Sequence, residues 1–230
     1  MKMKTLTEWQ LAETVMPHVH RMLLVGPPAT GKTHLAQHHG VEGRSVYSVT
    51  LTPDMSVADL IGCYTLHKGE MKWSDGPAIM AWRDGGRLNI NEIDRGSAET
   101  ESILYALLDD MSVARLTLPS GETVTPHPAF QAICTSNVQG KQALPEALLS
   151  RLPVQIQIND IHPKALETLD ADLRPLAIRT NAASENERVS FRSWLTFQHL
   201  RRQCGADVAL QAIFGARAKD FAAAVSIRSV

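Results

Sequence analysis

Eight consecutive residues, Gly26-Pro27-Pro28-Ala29-Thr30-Gly31-Lys32-Thr33, have the spacing G-x-x-x-x-G-K-[ST]. That spacing suits one kind of chemistry, the wrapping of backbone around phosphate. Glycine lets the main chain turn so that successive N–H groups point inward at anionic oxygens. A helix opening at Lys32 aims the partial positive charge of its N-terminus at the same point. The Lys32 ammonium can then reach the outer phosphates of a nucleoside triphosphate, and the Thr33 hydroxyl can ligate Mg²⁺. His34 follows on the face turned to nucleotide or solvent.

A second group of polar residues lies further along. Arg87–Asp94 reads RLNINEID, an apolar-leaning strand that ends in amide and acid groups. A metal and an attacking water need such groups at a strand end. Glu92 is the candidate general base, with Asp94 as the alternative carboxylate. Asn91 stands where an Asp would hold Mg²⁺. An amide can accept a hydrogen bond from metal-bound water but adds no charge, so weaker metal affinity or slower turnover follows. The plainer reading is that Asn91 and Glu92 cap a buried strand.

These groups need a scaffold. Arg21–Val25 (RMLLV) is an apolar run just before the Gly-rich loop and reads as a buried strand. Strands are also expected at 44–50, 87–91, 130–134 and 154–158, and helices at 7–16, from Lys32, and at 56–61, 77–83, 98–108 and 146–150. Hairpins are expected at 64–73, turning at Lys68-Gly69, and at 114–125, turning at Pro119-Ser120-Gly121. After Asp160 only helices are expected, at 163–178, 192–203 and 207–225. Strands alternating with helices imply a parallel α/β sheet. The expected fold is thus α/β: a phosphate-loop core over residues 1–160, its parallel sheet flanked by helices, and a small all-helical lid over 161–230.

Bulk composition excludes several classes. The 230 residues carry a net charge of −1, with no basic stripe, so nucleic acid is not the expected partner. Cys63, Cys134 and Cys204 are far apart and form no CxxC pair, as expected of reduced thiols in the cytoplasm. The N-terminus lacks the apolar region of a secretory signal, and no apolar run approaches the roughly 18 residues that span a membrane. His34 and His38 are four apart, but no third ligand is in view for a metal.

Taken in order, GPPATGKT, DLIG, the W-x-D-G-P stretch at Trp73–Pro77, NEIDR, TSN and LPEALLSRL resemble the MoxR branch of AAA+ ATPases, the dynein-related type. The likeness covers roughly residues 20–160. It implies Mg²⁺-dependent hydrolysis of ATP. It also implies that Asn137 is the polar sensor that orients water, and that Arg151 is an arginine finger reaching a neighbouring subunit's nucleotide. Arg192, in SFRSW, resembles the second sensor from the lid. A finger acting in trans implies a homo-oligomeric ring, a hexamer. The hairpins resemble family inserts facing a pore or a partner, which makes Met71, Lys72 and Trp73 contact candidates; the alternative is an aromatic that steadies its own hairpin. The partner implied is a protein to be remodelled or matured, in this family often one with a von Willebrand factor A domain. Two other readings stay open. One is a nucleotide-switched assembly scaffold, hydrolysis being negligible because of Asn91; the other is a nucleic-acid motor, which the neutral charge disfavours.

Overall fold

A computed structural model of the chain describes residues 5–137, 144–184 and 186–226. The chain forms two compact units. The first runs to Pro27 and from Lys32 to Ile158; the second comprises Pro28–Gly31 and the chain from Asn159 onward.

In the first unit the strands are β1 Arg21–Val25, β2 Val46–Thr50, β3 Gly62–His67, β4 Glu70–Asp75, β5 Arg87–Asn91, β6 Leu116–Thr117, β7 Thr123–Val124, β8 Gln131–Ser136 and β9 Val154–Gln157. Its helices are α1 Glu8–Val15, α2 Lys32–His38, α3 Val57–Ile61, α4 Pro77–Asp84, α5 Ala98–Leu107 and α6 Glu146–Arg151. Five strands form a parallel sheet in the order β2-β5-β8-β1-β9. β1 lies inside this sheet with partners on both edges, which is why it reads as a continuous apolar run. The chain reverses its strand order beside β1, so the loop after β1 sits at the carboxyl ends of the strands, where open α/β sheets place ligands.

Helices cover both faces. On one, Leu23, Leu88, Ile90, Ala132 and Cys134 pack with Leu60, Ile79, Trp82 and Leu104. On the other, Met22, Leu24 and Ile133 pack with Trp9, Ala12, Leu35 and Ala36. Local chemistry sets the helix ends. Thr7 and Gln10 form a reciprocal capping box ahead of α1. Pro77 opens α4, and Gly85, at φ 73°, stops it. The β3–β4 turn has φ 51° at Lys68 and 87° at Gly69, the two positive angles of a type I′ hairpin. The second hairpin is reduced to two-residue strands.

β5 carries a feature its apolar-leaning sequence hides. Arg87, Asn89 and Asn91 alternate on one face and are all buried. The Arg87 side chain is fully buried, and among the described residues no carboxylate is one of its hydrogen-bond partners. Its Nη1 donates to the carbonyls of Ala36 (2.9 Å) and His39 (2.6 Å), its Nη2 to that of Gly40 (3.1 Å), and its Nε to Gln131 Oε1 (2.6 Å). These carbonyls end α2, so Arg87 ties the helix behind the Gly-rich loop to the sheet. Arg87→Met would take this donor from the three carbonyls, while Gln131 keeps its bonds to Arg44, Met16 and Val19, a loss of about 3 kcal/mol. The melting temperature should fall by about 6–12 °C, read by calorimetry.

In the second unit, two expected helices are broken. The one expected over 163–178 becomes α7 Pro163–Glu167 and α8 Arg174–Asn181. Between them, Asp170 and Asp172 pair with Arg201, at 2.6 and 2.5 Å, and the Asp170 N–H donates to Gln198 Oε1. Pro175 then opens the next helix. α9 spans Phe191–Cys204. The helix expected over 207–225 becomes α10 Ala206–Phe214 and α11 Ala218–Ser226, interrupted where Gly215 takes φ 53°. Trp194 of α9 is fully buried against Phe197, Phe214 and Phe221.

Among the described residues, no helix is long and apolar enough to cross a membrane.

Candidate functional site

The Gly-rich loop leaves β1 with the Gly26 N–H bonded to Ser136 O at 3.2 Å. Its backbone turns through positive φ at Gly26 (150°), Ala29 (63°) and Gly31 (117°). Glycine is obligatory at the first of these. A Cβ there would lie 1.8 Å from the carbonyl oxygen of Ile158, far inside van der Waals contact. Ala29 holds the left-handed region with a side chain, a strained conformation for a non-glycine residue.

Lys32 opens α2 and is buried. Its Nζ donates to Gly26 O (2.8 Å), Pro27 O (2.6 Å) and Asn137 Oδ1 (3.2 Å). Burial pushes its pKa down to about 8, against the opposing pull of the Asp94 and Glu92 carboxylates. Thr33 is exposed on the first turn of α2, its hydroxyl one residue from the ammonium. His34 is also exposed and stacks on His38 with ring centroids 4.3 Å apart. Among the described residues, no three His, Cys, Asp or Glu side chains cluster as metal ligands.

The end of β5 supplies the acidic side. Asn91 is buried and held at both ends of its amide. Nδ2 donates to Val49 O (3.2 Å), and Oδ1 accepts from the Thr135 hydroxyl (3.3 Å). Glu92 follows at φ 52° and ψ 48°. This left-handed conformation in a non-glycine residue is the kind of strain that collects at functional sites. Its Oε1 accepts a long bond from Asn137 Nδ2 (3.5 Å), and its Oε2 pairs with Arg95 Nε (3.0 Å). Asp94 has one buried carboxylate oxygen without a hydrogen-bond partner among the described residues.

Asn137 therefore bridges Lys32 and Glu92, its amide oxygen toward the cation and its amide nitrogen toward the carboxylate. Three strand ends, those of β1, β5 and β8, bring together residues 45 to 105 positions apart. The arrangement offers a cation for phosphate, an amide for a water or phosphate oxygen, and a carboxylate for a proton. With Thr33 beside Lys32, the donor set suits a Mg²⁺-bound nucleotide.

Two expected site residues lie outside these bonds. Arg151, at the end of α6, donates from Nε to Tyr105 O (2.9 Å), from Nη1 to Ala147 O (2.9 Å) and from Nη2 to Asp109 Oδ2 (3.2 Å). Arg192, in the second unit, stands in the first turn of α9 after the cap Ser190. It is exposed, with no side-chain hydrogen bond or ion pair among the described residues. On the first hairpin, Met71 is exposed and Lys72 pairs with Glu70 at 3.3 Å. Trp73 packs edge-on against Tyr64 and donates to Asp75.

Sequence reading passed over Arg87, Tyr105 and Asp109. A signal for Arg87 was present: polar residues at every second position of an interior strand. For Tyr105 and Asp109 none was.

Comparison with known proteins gives a consistent picture. The sequence profile for the AAA domain, dynein-related subfamily, matches residues 21–152. Protein NorQ of Paracoccus denitrificans is 34% identical over 117 residues, covering 50% of this chain and 43% of that protein. Protein CbbQ of Hydrogenophilus thermoluteolus is 31% identical over 117 residues, with the same coverage of 50% and 43%. The denitrification regulatory protein NirQ of Stutzerimonas stutzeri is 30% identical over 131 residues, 56% of this chain and 47% of that protein. The chain thus spans a little under half the length of these curated relatives.

Proposed function

Because the chain belongs to the dynein-related subfamily of AAA domains, the MoxR branch of the AAA+ ATPases, we propose that it binds Mg²⁺-ATP and hydrolyses it to ADP and phosphate within a homo-oligomeric ring. The observation that carries this reading is the bonded trio Lys32–Asn137–Glu92 at the carboxyl edge of the sheet.

Each residue has a chemical task. The turn from Gly26 through Pro27, Pro28, Ala29 and Thr30 to Gly31 wraps the phosphates. Lys32 leaves the loop carbonyls for the β- and γ-phosphates. Thr33, supported by Asn91, holds Mg²⁺, and His34 lies on the nucleotide side of α2. Glu92 takes a proton from the attacking water, held in line by Asn137, as the water oxygen bonds to the γ-phosphorus. The bond from that phosphorus to the bridging oxygen breaks, and ADP leaves with the electron pair. Arg151 serves a neighbouring subunit's nucleotide and Arg192 acts from the helical unit, so residues 1–160 work as the core and 161–230 as its lid. The ring is a cytoplasmic hexamer that remodels or matures a partner protein, such as one with a von Willebrand factor A domain, and does not act on nucleic acid.

One observation favours a second reading. Both ends of the Asn91 amide are already engaged by Val49 and Thr135, and the side chain adds no charge for a metal. On that ground ATP would chiefly drive assembly, as in a nucleotide-switched scaffold. Phosphate release with Mg²⁺-ATP, measured across a protein concentration series with mass read on the same samples, separates the two. Specific activity should rise as rings form. Rings that form yet release no phosphate, and gain turnover on Asn91→Asp, would favour the scaffold.

A further inference from the structure

Arg151 does not hang free at the end of α6. Three of its five N–H donors are taken by Tyr105 O, Ala147 O and Asp109 Oδ2. The guanidinium also lies 5.3 Å from the centre of the Tyr105 ring. That ring is fixed in turn, its hydroxyl donating to the Glu101 carboxylate one turn earlier on α5. Asp109 is held at both oxygens, Oδ2 by Arg151 and Oδ1 by the N–H of Asp110 at 2.8 Å. Beside them Arg21 donates to Leu108 O at 2.7 Å and pairs with Asp110 at 3.5 Å. The C-terminal end of α5 is thus a built seat of carbonyl, ring face and carboxylate.

The seat engages each nitrogen of the guanidinium once. Among the described residues, one N–H on each terminal nitrogen has no partner. A planar fork with one remaining donor on each tip can reach two phosphate oxygens at once. The Arg151 side chain is 27% exposed, so it is not sealed within its own subunit.

We propose that Asp109, backed by the carbonyl and ring of Tyr105, is a positioning residue that seats Arg151 for work on a neighbouring subunit's γ-phosphate. The proposal rests on the trans role given to Arg151 above. Asp109 does not touch that nucleotide. It removes the rotational freedom of a long side chain and sets the direction of its remaining donors, and misplacement by about 1 Å can lower a rate a hundredfold.

The test is a mixing experiment on the full chain. Asp109→Ala should form rings and bind ATP as the unsubstituted protein does, while its turnover falls about ten- to a hundredfold. Mixing it with Lys32→Ala subunits, which have a dead loop but an intact seat, should restore turnover at the mixed junctions. Asp109→Asn keeps size and an acceptor oxygen and should lose less, and it stands in if the alanine variant does not fold. Unchanged turnover in both variants, with Arg151→Ala inactive, would overturn the seat and leave the trans role standing. Loss that mixing never restores would also overturn it, because Asp109 would then act within its own subunit. If Arg151→Ala is itself not rescued by Lys32→Ala, the trans role fails, and the seat with it.

Discussion

Lys32→Ala should weaken ATP binding by about a hundredfold or more, the loss of two charge-assisted bonds to phosphate. The structure makes this change informative because of where the ammonium rests. It is buried, and its hydrogen bonds go to two carbonyls of its own loop and the Asn137 amide. Without phosphate it is a cation held by dipoles, and burial lowers its pKa to about 8. Phosphate restores a full opposite charge and raises that pKa. Alanine removes the cation and leaves the folds of α2 and β1 without a lost salt bridge. Titration with a fluorescent ATP analogue measures the effect, and undiminished binding would remove Lys32 from the phosphate site.

The same group gives a pH dependence whose sign is fixed. Below about pH 8 Lys32 is already charged, so affinity is nearly level. Above that, the free protein has lost the proton and binding must take it up again, so affinity should fall by up to about tenfold per pH unit. The nucleotide-free fold responds in the opposite sense. Between about 8 and the ordinary value of 10.5 the unfolded chain holds more protons than the folded one. The Lys32 contribution to stability therefore rises with pH across that window. Affinity and melting temperature measured over that range on the unsubstituted protein and Lys32→Ala isolate this group as the difference between their slopes, since the alanine variant loses only the Lys32 share.

How much of this was legible in the sequence depends on how local each signal was. β1 and β5 have the expected bounds, because an apolar run and a polar strand end are marked by their neighbours in sequence. α4 could be read from Pro77 and its turn glycine for the same reason. The break at Asp170 and Asp172 could not. Two acids in a helical pattern look like a solvated face until Arg201, some thirty residues on, is known to lie opposite. Asn137 and Glu92 could each be named from short motifs, but a bond between them is a property of strand order, which places β5 beside β8. The Arg151 seat is further out of reach. Its two halves are 42 residues apart, and nothing in LLDD or LLSR marks one as the other's partner. Arg87 shows a different failure, in which a charged residue at a strand start is ordinarily read as an exposed edge and here is fully buried.

Glu92→Gln should keep ATP binding within a few-fold and lower turnover about 10²- to 10⁴-fold, the range for removing a general base. The backbone makes glutamine a clean probe. Glu92 sits in the left-handed region at φ 52°, and glutamine meets the same steric cost there, so the strand end should hold its shape. The amide oxygen can still accept from Asn137, so the water-orienting group keeps its partner. What changes is the ability to take a proton, together with the ion pair to Arg95. That pair involves an exposed arginine and is worth at most about 1 kcal/mol, too little to account for a hundredfold loss. Single-turnover hydrolysis on assembled rings, with ATP affinity read in parallel, separates the two quantities. Near-normal turnover would move the base to Asp94, whose buried carboxylate oxygen has no hydrogen-bond partner among the described residues. Glu92 would then be left with the structural task of turning the chain out of β5 and carrying Asn137 toward Lys32.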